Sequence, residues 1–387
     1  MFAILLISYA NWDSLMEFPA IFKKAGCTID VFCAKDSWAI QNTFYDTWID
    51  SGNNNDQFVD NLLNYIAKYG DKYNWFLPGD DKIVRLLNEN ITDEALFYKL
   101  LPLSKIENRE LLGSKAGFSN MCKKYNIETP KYLVYEAGMT TKEIITYMGF
   151  PFMIKADKSE AGYGVYLCRN EDEFIVEFNK VENKVHTVFQ QYIQGYNVNM
   201  ETLYKNGELI VHSYSRLLKI YGKFGYSTKR LFYQNKEILS EVQKIGKSFG
   251  INGFANVSFM YSVPEKKHYL IEVDIRPNTW MYYGHITGND FVEGVKKIMC
   301  GDYTYLQPAK EYDDKKVIIS LYKKDLHRCI VEKDLKGFLN WVFNKDNCWR
   351  YIPFYDKKAL KSSNKFLWGT FMIFAKSRLR KIFKIKK

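Results

Sequence analysis

The chain has no CxxC pair, and its seven cysteines (Cys27, Cys33, Cys122, Cys168, Cys300, Cys329 and Cys348) are scattered and odd in number. That argues against a disulfide framework and against a structural zinc site, and a reducing, cytosolic interior fits best. The five histidines show no ligand spacing, and no Ser/His/Asp or Cys/His arrangement stands out. No run of 18 apolar residues occurs, so no transmembrane helix is expected. No basic region precedes the short apolar stretch MFAILLIS, which reads as a first buried strand and not as a signal peptide. No GxGxxG turn follows that strand, so a dinucleotide-binding reading has little support. Internal repeats and low-complexity tracts are absent too.

What is present is the composition of a folded globular protein, with 47% hydrophobic and 26% charged residues. At 387 residues the chain is too long for one small core, and two or three domains are expected. The formal net charge is +11, but seven of the last twelve residues are basic. The charge is therefore mostly a property of the tail and not a body-wide face for nucleic acid, and no nucleic-acid partner is expected.

The hydrophobic pattern starts with strands at 2–8, 28–34 and 74–77, separated by helices at 13–25 and 55–69. This rhythm predicts a small parallel α/β domain over 1–105. A helix at 114–126 follows. From Pro151 strands dominate, at 152–156, 164–169, 187–193, 198–205, 208–215, 254–262 and 268–275, with a helix near 236–249. That is an α+β pattern with antiparallel pairing, expected over 106–305, with parts at 115–195 and 196–305. A softer stretch near 301–314 marks the boundary to a C-terminal segment, 306–387.

Residues 270–278, LIEVDIRPN, are the most informative. Period-two alternation puts Ile271, Val273 and Ile275 on one face and Glu272, Asp274 and Arg276 on the other, about 7 Å apart from one to the next. Two carboxylates that close repel unless a cation lies between them. Hard oxygen ligands suit magnesium, and an arginine beside it suggests phosphate chemistry. If 253–261 pairs with 267–275 through its apolar faces, Asn256 and Ser258 face Glu272 and Asp274 across the pair. An amphipathic hairpin with a solvated face has the same alternation, and spacing leaves both readings open.

Three other segments carry weaker signals. In FMIKADKSEAGYGV (152–165), Lys155 ends a strand and Gly162 and Gly164 follow, a pattern that can cradle phosphates or simply make a turn. In FQQYIQG (189–195), Ile193 can pack on an adenine whose edge meets backbone and Gln191; a buried edge strand fits as well. Residues 212–230 read as a basic, glycine-bearing loop. There Arg216, Lys219, Lys223, Lys229 and Arg230 hold an anionic substrate or form a solvated loop.

Taken in order, these segments resemble the ATP-grasp superfamily, in particular its carboxylate–amine ligases. The resemblance covers about residues 100–300, and the α/β domain before it resembles the usual pre-ATP-grasp domain. It implies that Lys115 and Lys155 meet the phosphates of ATP and that Ser159 to Gly164 form the flap over them. It implies adenine binding by Gln190, Gln191, Tyr192 and Ile193, Mg2+ binding by Glu272 and Asp274, and a catalytic role for Arg276 with Lys155. Arg216, Lys219, Lys229 and Asn278 are the candidate substrate contacts. Three positions depart from the pattern. Ser258 stands where a carboxylate is usual, Asp274 where an asparagine is usual, and Gln191 where a glutamate is common. Loss of one anion at Ser258 and gain of one at Asp274 keep the site charge, which favours Mg2+ but leaves open one metal or two.

The implied reaction is ATP-dependent amide formation through an acyl phosphate, from small-molecule or peptide carboxylate and amine substrates. A surface glycan precursor, a peptide and a secondary metabolite are all open. A non-catalytic nucleotide-binding protein and an ATP-grasp kinase are the alternatives. Residues 364–387 read as a basic, aromatic amphipathic helix. Its apolar part is too short to span a bilayer and suits an anionic membrane surface or packing on the body. The expected location is cytoplasmic, with the inner face of the membrane as the alternative.

Overall fold

The first strand is buried along its whole length, which requires helices on both sides of it. The computed structural model describes residues 2–12, 14–52, 55–160, 162–181 and 184–385. Its first sheet is parallel, in the order β3-β2-β1-β4. The strands are β1 (Ala3–Ile7), β2 (Thr28–Cys33), β3 (Thr47–Asp50) and β4 (Trp75–Pro78). Alternation along β1 sends Leu5 and Ile7 into a core with Phe58 and Leu62 of the helix Phe58–Tyr69. Ile4 and Leu6 enter a second core with Phe18 and Phe22. After β4 the chain turns at Asp80, whose side chain caps the helix Asp81–Asn90 through the Ile83 amide. The same carboxylate accepts the Tyr9 and Ala10 amides at 2.8 and 3.0 Å. It thereby ties together the C-terminal ends of β1 and β4, where open α/β sheets present their ligand crevice.

A four-stranded antiparallel sheet follows, built from β5 (Tyr132–Val134), β6 (Phe152–Lys155), β7 (Val165–Cys168) and β8 (Val188–Gln191). Its order is β5-β8-β6-β7, so β8 is an interior strand and not an edge. A cluster of Phe152, Phe174, Phe178 and Phe189 with Ile144 forms its core.

The largest sheet has six antiparallel strands in the order β13-β12-β9-β10-β11-β14. They are β9 (Gly195–Lys205), β10 (Glu208–Ile220), β11 (Ser227–Phe232), β12 (Gly253–Ser262), β13 (Lys267–Asp274) and β14 (Val317–Ser320). One face packs Val198, Met200, Tyr204 and Val257 against Val242, Ile245 and Phe249 of the helix Leu239–Phe249. A parallel α/β sheet followed by antiparallel α+β sheets is the expected fold class.

Two local expectations are corrected. Residues 212–230 are not a loop but most of the β10–β11 hairpin, with Gly222 in the left-handed region (φ 62°) in its turn. On β13 the pairing skips between Ser258 and Phe259, whose partners are Glu272 and Leu270. Ile271 is the extra residue of this β-bulge, so Leu270 and not Ile271 joins Val273 and Ile275 in the core.

Candidate functional site

The polar floor is built by register. Asn256 pairs with Asp274 and Ser258 with Glu272 across β12–β13. On the other side of β12, Ser258 faces Asn199 and Asn256 faces Glu201 of β9. The Asn199 amide donates to Asn256 Oδ1 at 2.8 Å and to Ser258 Oγ at 2.9 Å, which holds both oxygens in place. Burial raises the Asp274 carboxyl well above its ordinary range, and Glu272 beside it adds to the rise. Arg276, Asp81 and Lys115 act on the same carboxyl, Arg276 and Lys115 favouring its charge. Two mutually repelling carboxylates beside oriented neutral oxygens form a hard donor set that a Mg2+ ion suits. Among the described residues no group of three or more His, Cys, Asp or Glu is gathered for a metal.

Lys155 arrives from the end of β6. It is half-buried and donates to Gln190 Oε1 at 2.6 Å. Burial lowers its ammonium to about 8; Glu272 works against that shift and Lys115 with it. Lys155 and Asp274 therefore each lie within electrostatic reach of Glu272 and Lys115, although the four come from distant parts of the chain. Gln190 is buried at the side of Lys155, whereas Gln191 is exposed on the opposite face of β8. Tyr192 is exposed and Ile193 buried in the short link from β8 to β9.

Lys115 opens the helix Lys115–Lys124, which Ser114 caps. Its ammonium donates to the carbonyls of Asp157 and Ser159 at 2.9 and 2.6 Å and reaches Ser159 Oγ at 3.2 Å. Asp157 in turn accepts from the Ser114 hydroxyl and the Ala116 amide. The helix start and the glycine loop are thus stitched together. Gly162 (φ 82°) and Gly164 (φ 65°) adopt the left-handed conformation that disfavours side chains. A Cβ on Gly162 would stand 2.2 Å from the Phe224 carbonyl oxygen in the β10–β11 turn. Ala161 lies outside the described residues. The loop also reaches the first sheet's helix, where Arg85 pairs with Glu160 and donates to the Lys158 carbonyl at 2.9 Å.

Arg276 is buried and held from three sides. Its Nε donates to Asp81 at 2.6 Å, its Nη2 to Asp274 at 3.2 Å, and its guanidinium lies 5.0 Å from the Trp12 ring centroid. Burial opposes its charge, but Asp81 and Asp274 outweigh that and raise its pKa. Sequence reasoning missed Asp81 and Trp12. The available signal was Pro78-Gly79-Asp80-Asp81 closing a strand of a parallel sheet, where acidic side chains face the crevice.

Asn278 accepts from the Trp280 amide and caps the short 3-10 helix Thr279–Tyr283. The other three expected substrate contacts are not brought to this cluster. Ser213 and Ser215 share the floor's face, so Arg216 points to the other side, 3.9 Å from the Tyr196 ring centroid. Lys229 donates to Asp346 at 2.6 Å. Lys219 acts on Asp334, whose carboxyl is held down first by the Gly337 amide and by Arg328. Arg230, another basic residue of 212–230, is buried on β11, paired with Glu201 at 2.7 Å and lying 4.4 Å from the Trp280 ring centroid.

Comparison with known proteins gives this geometry a context. Residues 113–280 match the family model of the ATP-grasp domain. Chloroplastic phosphoribosylamine–glycine ligase of Arabidopsis thaliana is 43% identical over 63 residues, which is 16% of this chain and 12% of that protein. The chain spans less than half the length of the curated relatives it matches. N5-carboxyaminoimidazole synthetase of Staphylococcus aureus, solved with ADP, superposes with a TM-score of 0.63 at 16% identity, covering 88% of this chain and 87% of that one. The biotin carboxylase domain of Hydrogenobacter thermophilus 2-oxoglutarate carboxylase, solved with MgADP and bicarbonate, gives 0.62 at 17% identity, covering 82% and 74%.

Proposed function

From the premise that residues 113–280 form an ATP-grasp domain, we propose that the chain is an ATP-dependent carboxylate–amine ligase that forms an amide through an acyl phosphate. The observation that carries this reading is the convergence of Lys115 and Lys155 with Glu272, Asp274 and Arg276. Cations from one wall face carboxylates from the other, which is the arrangement that in-line phosphoryl transfer from ATP requires. The two solved relatives hold ADP, one of them with magnesium, which supports ATP and Mg2+ as cofactors. In this reading Gln190 to Ile193 line the adenine, and Ser159 to Gly164 cover the phosphates. Glu272 and Asp274 would hold Mg2+, which would supply positive charge against the phosphates of ATP.

A substrate carboxylate oxygen attacks the γ-phosphorus, and ADP leaves. Arg276 and Lys155 offset charge on the transferring group. An amine nitrogen then attacks the acyl carbon, phosphate departs and the nitrogen loses its proton. Glycine-loop closure excludes the water that would hydrolyse the acyl phosphate. Asn278 and Arg276 border the space for the acid, while Arg216, Lys219 and Lys229 are left out because their partners lie elsewhere. The functional units are 1–105, 106–305 (parts at 115–195 and 196–305) and 306–387, in a cytoplasmic enzyme.

The test uses the full chain with ATP, MgCl2, hydroxylamine and a panel of carboxylic acids and small peptides. Hydroxylamine captures an acyl phosphate as a coloured ferric hydroxamate. The expected result is acid-dependent hydroxamate with ADP release, abolished in Glu272→Gln. Ser258, a hydroxyl where the resemblance implies a carboxylate, favours a second reading as a nucleotide-binding protein. ATP binding with no ADP release over the whole panel selects that reading, and a stable phosphorylated product selects a kinase.

A further inference from the structure

The C-terminal segment carries features that ATP chemistry does not use. Residues 357–387 contain eleven lysines and arginines and no aspartate or glutamate. The rest of the chain holds 44 basic and 44 acidic residues, so the formal charge of +11 resides in this stretch alone. The stretch is helical from Lys357 to Ile385. One stripe of this helix packs inward: Ala359, Ser363 and Leu367 are buried, and Phe366 meets the rings of Trp38 and His327. Further along the helix Trp368 is 65% and Ile373 72% exposed, and Phe371 and Met372 between them are exposed as well. The Trp368 and Phe371 rings stack on each other at 5.8 Å.

A second apolar surface lies just before it. The helix Leu335–Val342 buries Trp341. It turns Leu335, Phe338, Leu339 and Val342 outward, at helical spacing, and Phe343 at its end is 68% exposed. Phe354, in the link to the last helix, is 70% exposed. Large exposed apolar side chains on a soluble body mark a docking surface.

We propose that residues 335–387 dock the protein on an anionic lipid surface, with the apolar side chains entering the interface and the basic ones meeting the headgroups. No helix among the described residues is long and apolar enough to cross a membrane, so the contact is peripheral. Aromatic and aliphatic side chains beside a one-signed basic helix are the composition of an interfacial anchor. A nucleic acid would meet the charge but offer no home to Leu335, Met372 and Ile373. A second copy would bring two segments of like charge together, which costs energy in an isologous contact.

The experiment is vesicle flotation of the full chain, with phosphatidylcholine alone and with phosphatidylcholine mixed with phosphatidylglycerol. Binding is expected only to the anionic vesicles and is expected to weaken with salt. The pairs Trp368→Ser with Phe371→Ser, and Leu335→Ser with Phe343→Ser, should each weaken it by about ten-fold while leaving ATP affinity unchanged. Trp368→Phe, which keeps the fold and the apolar surface, should retain binding but lose part of the fluorescence quenching by brominated lipid. No flotation with either lipid overturns the proposal. So does a concentration-dependent dimer abolished by the same serine pairs, which makes the face a contact between copies. Binding to a DNA duplex as tight as to vesicles, and kept by the serine pairs, also overturns it.

Discussion

Lys155 is where binding and folding pull in opposite directions. Burial lowers its ammonium to about 8, from the 10.5 of a free lysine. Between those values the unfolded chain holds more protons than the folded one, so stability rises with pH across that window. Below about pH 8 the charged lysine costs the fold the full difference. Lys155→Met should therefore raise the unfolding free energy at pH 7 by about 1–2 kcal/mol, read from urea titrations, with the gain shrinking as the pH approaches 10.5. The same variant should bind ATP at least about ten-fold more weakly, because a triphosphate draws on that charge. A triphosphate also returns the proton: calorimetry near pH 8, in buffers of different ionisation enthalpy, should show net proton uptake as ATP binds. Equal stability of the two proteins at pH 7 would show that the lysine is not held against its charge. Lys155 was legible in the sequence because it closes an apolar strand before two glycines. Its partner Gln190 was legible only as part of a segment, because alternation alone does not say which of two adjacent glutamines faces the lysine.

Elements were legible where their pattern is local. The β12–β13 pairing follows from alternation on two neighbouring strands, so the placement of Asn256 and Ser258 opposite Asp274 and Glu272 could be read directly. The bulge could not, because Leu270 and Ile271 are both apolar and nothing nearby says which one the pleat skips. The β10–β11 hairpin was hidden for a different reason. Its glycines and lysines look like a loop, and β11 gains its second neighbour from β14, about ninety residues later. The glycine loop depends on this hairpin, since Gly162 touches the backbone of its turn. Gly162→Ala places a Cβ in a left-handed residue against the Phe224 carbonyl, so loop and turn must separate. The expected outcome is a KM for ATP raised about ten-fold, with the melting temperature nearly unchanged because the loop belongs to no core cluster. A melting point lowered with KM unmoved would make the contact structural and nothing more.

At the scale of the whole molecule, the parallel sheet and the six-stranded antiparallel sheet share hydrophobic cores, and an ion pair joins the segments that follow them. Asp81 follows β4 and Arg276 follows β13, 195 residues apart, and that distance is why their contact could not be read from either segment. Asp81 takes the Nε edge of the guanidinium and Asp274 takes Nη2, so the two carboxylates from different sheets fix the plane of the group. Trp12, also from the crevice of the parallel sheet, lies beside it. Arg276 stays charged without Asp81, because a guanidinium does not lose its proton under ordinary conditions. What Asp81→Asn removes is orientation, along with part of the compensation for a buried charge. It should lower kcat by about 10–100-fold and leave the ATP dissociation constant unchanged, since the lysines and Glu272 are untouched. It should also cost about 1–3 kcal/mol of stability, the usual effect of taking one partner from a buried charge. Stability loss alone does not establish positioning, so the conservative variant decides. Asp81→Glu keeps the charge but lengthens the arm, and should restore most of the stability while recovering little of kcat. If instead kcat returns in step with stability, Asp81 holds the sheets together and has no separate part in aiming Arg276 at the transferring phosphoryl group.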